Sequence, residues 1–117
     1  MVWQALFRGF IQVHILHHAR EHPVYGAWMI DELARHGYAL SPGTLYPILH
    51  RMEEDDLLTS TYQVVEGKRR RYYSITPAGE QALEQARRQA MELAREIAPA
   101  PDSKDRETCP EEQAKRS

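Results

Sequence analysis

Three groups of residues in this chain have the types and spacing to do chemistry. Four cations stand together at Lys68–Arg71, directly after Glu66-Gly67. A fifth, Arg51, closes the stretch LSPGTLYPILHR, Leu40 to Arg51. Guanidinium and ammonium groups hold phosphates, and arginine also pairs with guanine edges. The third group is HILHHAREH, in which His14/His18 and His18/His22 are i, i+4 pairs, a spacing that can hold zinc or nickel. Glu21 is the only acid nearby and no cysteine joins the set, so the histidines read as core or interface residues and no metal ligand is assigned. They could still make association sensitive to pH near neutrality.

The elements that must position these groups follow from periodicity. Trp3, Leu6, Phe7, Phe10 and Val13 recur at helical spacing, which predicts a first helix to about Arg20, broken by Pro23. On its wheel His14 and His17 share the apolar side, and His18 and His22 lie at its edge. A second helix runs from about Tyr25 to His36, with Trp28, Met29, Ile30 and Leu33 as its apolar set and Gly37 as its left-handed stop. Ser41 as N-cap and Pro42 at the first position open a third helix with the stripe Leu45, Ile48, Leu49, Met52. Pro47 inside it forfeits one bond, to the Gly43 carbonyl. The acidic run Glu53–Asp56 reads as a solvent-facing end with no assigned role.

The period then alternates, predicting strands at Ser60–Val65 and Arg69–Ile75 around a turn at Glu66-Gly67-Lys68. Thr76 caps a last helix that halts before Pro99, and its apolar line is Leu83, Ala86, Ala90, Leu93, Ile97. Those steps of 3, 4, 3 and 4 suit a two-helix seam. Glu84/Arg88 and Arg88/Glu92 would support its exposed side. The fold class is therefore mainly α with a small β-hairpin: a winged helix-turn-helix (residues 1–75), a C-terminal dimerisation helix (76–98) and a disordered tail (99–117).

Composition narrows the function without naming it. The formal charge of −2 places any nucleic-acid affinity in a local patch. One cysteine, Cys109, excludes an internal disulfide framework and fits a cytoplasmic protein. The first apolar stretch is interrupted by Gln4, Arg8, Gln12 and His14, so no membrane span is expected. No nucleophile–base set or phosphate loop is visible. An enzyme, catalytic residues and cofactors are not expected.

A helix that must approach a phosphate backbone gains from Gly43, where there is no side chain, and from free N–H groups at its start. Ser41, Gly43, Thr44, Tyr46, Pro47, His50 and Arg51 are thus the candidate contacts from the third helix to double-stranded DNA, and Lys68, Arg69, Arg70 and Arg71 those from the wing. The stretch LSPGTLYPILHRMEEDDLL, the Tyr25-Gly26 pair and the run KRRRYYSITPAGE resemble the PadR family of transcriptional regulators over most of the ordered chain. The resemblance implies a homodimeric DNA-binding regulator, most often a repressor, that responds to a small molecule or another signal. It also implies the short form, in which the last helix packs with helix 1 of a second copy. Dimer residues are then Leu83, Ala86, Ala90, Leu93, Ile97, Phe7, Phe10 and His14. An aromatic or hydrophobic effector would lie against Trp3, Phe7 and Phe10. Of Tyr72 and Tyr73, at least one is expected to anchor the sheet. Asp56 stands where the family usually has glycine and is expected to take a left-handed conformation. Two rival readings are a winged helix that binds protein, and a metal sensor built on the histidines of helix 1.

Overall fold

A computed structural model describes residues 2–99, with side chains described for residues 5–99. Cys109, residues 100–117 of the expected tail and the Trp3 side chain lie outside the described residues. The order is α1 (Val2–Glu21), α2 (Gly26–Arg35), α3 (Pro42–Glu54), β1 (Leu58–Val65), β2 (Lys68–Ile75) and α4 (Pro77–Ile97). All six elements were legible in the sequence.

The three N-terminal helices bury one contiguous core. Met29 and Leu33 of α2 meet Leu45, Leu49 and Met52 of α3, all essentially inaccessible to solvent. Removing such side chains from water contributes roughly 1.5–3 kcal/mol each. The face that α1 gives to this core differs from the expected one. It is Ile11, Ile15, Leu16 and Ala19, while Leu6, Phe7 and Phe10 are 65%, 41% and 43% exposed. The first half of α1 is apolar on more than one side, so it carries two stripes, and the aromatic one stays outside.

Strands β1 and β2 pair antiparallel from Leu58↔Ile75 to Val65↔Lys68, so the turn is the two residues Glu66 and Gly67. Their φ values of 53° and 77° are those of a primed hairpin turn, whose twist matches the strands. Thus β1 starts two residues earlier than expected and Lys68 belongs to β2. The α1–α2 connection joins the sheet: Val24 and Tyr73 exchange backbone bonds of 2.9 and 2.7 Å. Tyr73 is buried, which makes it the anchoring tyrosine, and Tyr72 packs edge-on against Tyr25.

One junction ties α3, the hairpin and α4 together. Asp56 adopts φ 61°, as its position required. Its carbonyl accepts from the Thr76 hydroxyl, and the Leu57 carbonyl accepts from Thr76 N. Thr76 Oγ1 in turn accepts from Gly79 N at 2.9 Å, capping α4. A Cβ on Gly79 would sit 2.2 Å from the Leu57 carbonyl oxygen and 2.8 Å from Ile75 Cγ1. Gly26 is tight in another way: its Cβ would meet the Tyr46 ring at 2.5 Å.

Helix α4 packs its beginning on α1 through Leu83, while Met91, Leu93 and Ile97 are exposed. Arg88 bonds Glu84 and Gln85, and the expected Arg88–Glu92 pair is absent among the described residues. Gly79→Ala should destabilise the fold by about 1–3 kcal/mol, because the obstacle is backbone. Gly26→Ala should cost less, and its cost should shrink in a Tyr46→Leu background, because that obstacle is a side chain. Urea denaturation of the four variants tests both statements.

Candidate nucleic-acid interface

The buried stripe of α3 leaves the opposite side of the helix in water. Ser41, Gly43, Thr44, Tyr46, Pro47, His50 and Arg51 are all exposed. Pro47 lies within a continuous helix, and Ser41 occupies the N-cap without a capping bond; its hydroxyl faces that of Thr44 at 3.3 Å. Thr44 N and Leu45 N both bond the Ser41 carbonyl, and Pro42 has no N–H, so Gly43 N is the amide left to an external acceptor.

Gly43 differs from Gly26 and Gly79. A Cβ built on it meets nothing nearer than Ser41 Oγ at 3.8 Å, and its φ is not positive. Nothing within the chain therefore demands glycine there. Its missing side chain leaves room for something outside the chain. Thr44, Pro47 and Arg51 also form one wall of a groove whose other wall is Phe7, Arg8 and Gln12 of α1.

The cations are placed unequally. Arg51 reaches Asp55 at 3.4 Å, but both side chains are more than half exposed, so the pair is weak and open to exchange. On the wing, Lys68 has no carboxylate partner among the described residues. The Arg69 guanidinium lies 3.8 Å from the Tyr62 ring centre, and that of Arg70 lies 4.3 Å from Tyr25. Stacking helps to fix both groups, and Arg70 is held further by the Tyr72 hydroxyl.

Arg71, expected as a phosphate cation, is already engaged within the chain. Its Nη2 donates to Glu53 Oε1 at 2.7 Å and its Nε to Ser60 Oγ at 3.0 Å. Ser60 donates to the same carboxylate at 2.8 Å. Glu53 is therefore not a solvated end residue, as the sequence suggested, but the bond between α3 and the wing. The strand register that brings Arg71 opposite it was the missing information.

Most of the residues assigned to dimerisation, His14 among them, line one groove between α1 and α4, whereas Phe7 and Ile97 do not. Phe10 lines a groove against α4 with Leu6, Val13, Ala90 and Leu93, whereas Phe7 lines the groove against α3 and packs edge-on against Tyr38. His14 stacks on His36 of its own chain at 4.8 Å. His18, expected at an edge, is the buried histidine, and His17 is exposed.

A double-mutant cycle on Glu53→Gln and Arg71→Ala should give a coupling on the order of 1 kcal/mol in folding stability. Lys68→Ala should stay within about 0.5 kcal/mol of wild type. Chemical denaturation measures both.

The family model described as "Transcriptional regulator PadR-like family" matches residues 15–85. The transcriptional regulator Rv3488 of Mycobacterium tuberculosis is 57% identical over 90 residues, covering 77% of this chain and 84% of that protein. A PadR family transcriptional regulator from Eggerthella lenta superposes with TM-score 0.71 at 32% identity, over 82% of this chain and 85% of that one. A PadR-like transcriptional regulator from Bacillus cereus gives TM-score 0.73 at 28% identity, over 80% and 92%.

Proposed function

Since this chain belongs to the PadR-like family, and is thereby a DNA-binding transcriptional regulator, we propose that it acts in the cytoplasm as a homodimeric, ligand-responsive repressor. The observation that carries the DNA contacts is Gly43. It is a glycine the fold does not need, with a free amide, on the exposed first turn of a helix followed by Thr44, Pro47 and Arg51. In this reading the phosphate backbone approaches Gly43 N, and the α3 side chains reach into the major groove. Ser41, Tyr46 and His50 flank that contact. Lys68, Arg69 and Arg70 hold the phosphates beside it. Arg71 acts indirectly, by fixing the wing to α3.

The dimer would form on the outer face shared by α1 and α4. Leu6, Phe10, Met91 and Leu93 line one largely apolar groove there, and Ile97 is exposed near the end of α4. Leu83 is spent on packing within the chain, so Ala86, Ala90, Leu93 and Ile97 carry the seam. A two-fold pair would place its α3 helices about 34–36 Å apart, one turn of DNA. A small apolar effector would enter the part of that groove lined by Phe10, and by binding there would alter the pairing of the two copies. None of the described helices is long and apolar enough to cross a membrane.

Gly43→Ala should leave the urea midpoint unchanged or raised, yet weaken operator binding roughly tenfold or more, about 1.4 kcal/mol. Equal affinity for operator DNA in this variant would remove the main support for the reading. Arg51→Ala should cost about 1–3 kcal/mol on the operator and relax its specificity. Replacing Lys68 or Arg69 should weaken operator and random duplex alike and lower the salt slope by about one. Fluorescence anisotropy at two salt concentrations separates these cases. Leu93→Asp should yield a monomer in analytical ultracentrifugation, with Lys68→Ala remaining dimeric.

A further inference from the structure

The histidines of α1 acquire partners that the sequence did not reveal. One ring nitrogen from each of His14, His18 and His36 lies within 4.8 Å of the other two. His36 comes from the C-terminal end of α2, so the group bridges two helices. Glu32, one turn before it, completes the cluster: its Oε2 is 3.2 Å from Nε2 of His36 and 3.5 Å from Nε2 of His18. Two ligands of one tetrahedral zinc ion, bonded at 2.0–2.1 Å, stand about 3.3 Å apart. Both Glu32–imidazole distances already match that spacing, and the three imidazole nitrogens lie within 4.8 Å of one another.

The chemistry of the donors points the same way. His18 is 9% exposed, and its Nε2 is buried with no hydrogen-bond partner, 3.5 Å from Glu32 Oε2. An unpartnered buried nitrogen facing a carboxylate and two imidazoles is a place for a cation. Arg35 takes Oε1 of Glu32 at 3.5 Å, leaving Oε2 to the imidazoles.

We infer that His14, His18, His36 and Glu32 form a site for a divalent transition-metal ion of the zinc type, clamping the end of α2 to α1. Three nitrogens and one oxygen suit zinc or cobalt and disfavour magnesium or calcium. Gly37 and the short turn to α3 follow His36 directly, so the ion would also fix how α3 is held. That consequence rests on the DNA-binding reading above; the site itself does not.

The test titrates untagged full-length protein with cobalt, followed by visible absorption, and then with competing zinc by calorimetry. The expected result is one ion per chain with a four-coordinate cobalt spectrum and a raised thermal midpoint. His36→Ala, at an exposed position that can fold without the ring, should weaken binding at least about 100-fold. Glu32→Gln should weaken it about 10- to 100-fold. His17→Ala and Cys109→Ser should leave it unchanged. Absence of stoichiometric binding, or binding as tight in His36→Ala, would overturn the site. So would loss of binding in His17→Ala, because it would place the ion on the exposed His17/His18/Glu21 group. With the ion bound, unaltered operator affinity would refute the effect on α3 and leave the site standing.

Discussion

The fold turns on the contact between the Asp56-Leu57 backbone and the Thr76–Gly79 turn. Two carbonyls at the end of α3 accept from Thr76, whose hydroxyl also caps α4, and Gly79 lets that helix start approach Leu57. Four elements leave this junction: α3, both strands and α4. Their relative directions are set within a few residues. A left-handed Asp56 is the local cost, and the paired carbonyls offset it.

The residues shared with the family motif divide by physical role. Gly26 with Tyr46, and Thr76 with Gly79, are fixed by contacts inside the chain. Gly43 and Lys68 have no such obligation. Tyr46 is therefore two things at once, a lid on the start of α2 and a 40% exposed member of the α3 surface. Changing it would disturb helix packing before it disturbed any contact with DNA. Arg71 shows the reverse case, a cation from the basic run that the fold has taken for itself.

Much of this was legible in the sequence. Proline and serine at the start of α3, threonine and proline at the start of α4, and the change from helical to alternating period placed every element. The stripe Leu45, Ile48, Leu49, Met52 is buried as its spacing indicated. What stayed hidden depended on tertiary packing. Helix α1 has two apolar stripes, and periodicity alone cannot say which one meets α2 and α3. Glu53 and Arg71 are 18 residues apart, and only the hairpin register brings them together. Likewise Glu32 and His36 look like an ordinary i, i+4 pair until α1 is laid against them.

The Glu53–Arg71 bond has a mechanical meaning as well. Tyr73 fastens the hairpin to the α1–α2 connection at its base, and Arg71, paired with Tyr62, fastens it again to α3. Beyond that second anchor lie the rungs Gln63↔Arg70, Val64↔Arg69 and Val65↔Lys68, with Arg70 also stacked on Tyr25. The overhang is thus roughly 10 Å at about 3.4 Å per residue, less than the width of a major groove, about 12 Å. The wing is a short cantilever, and a beam that short stays stiff.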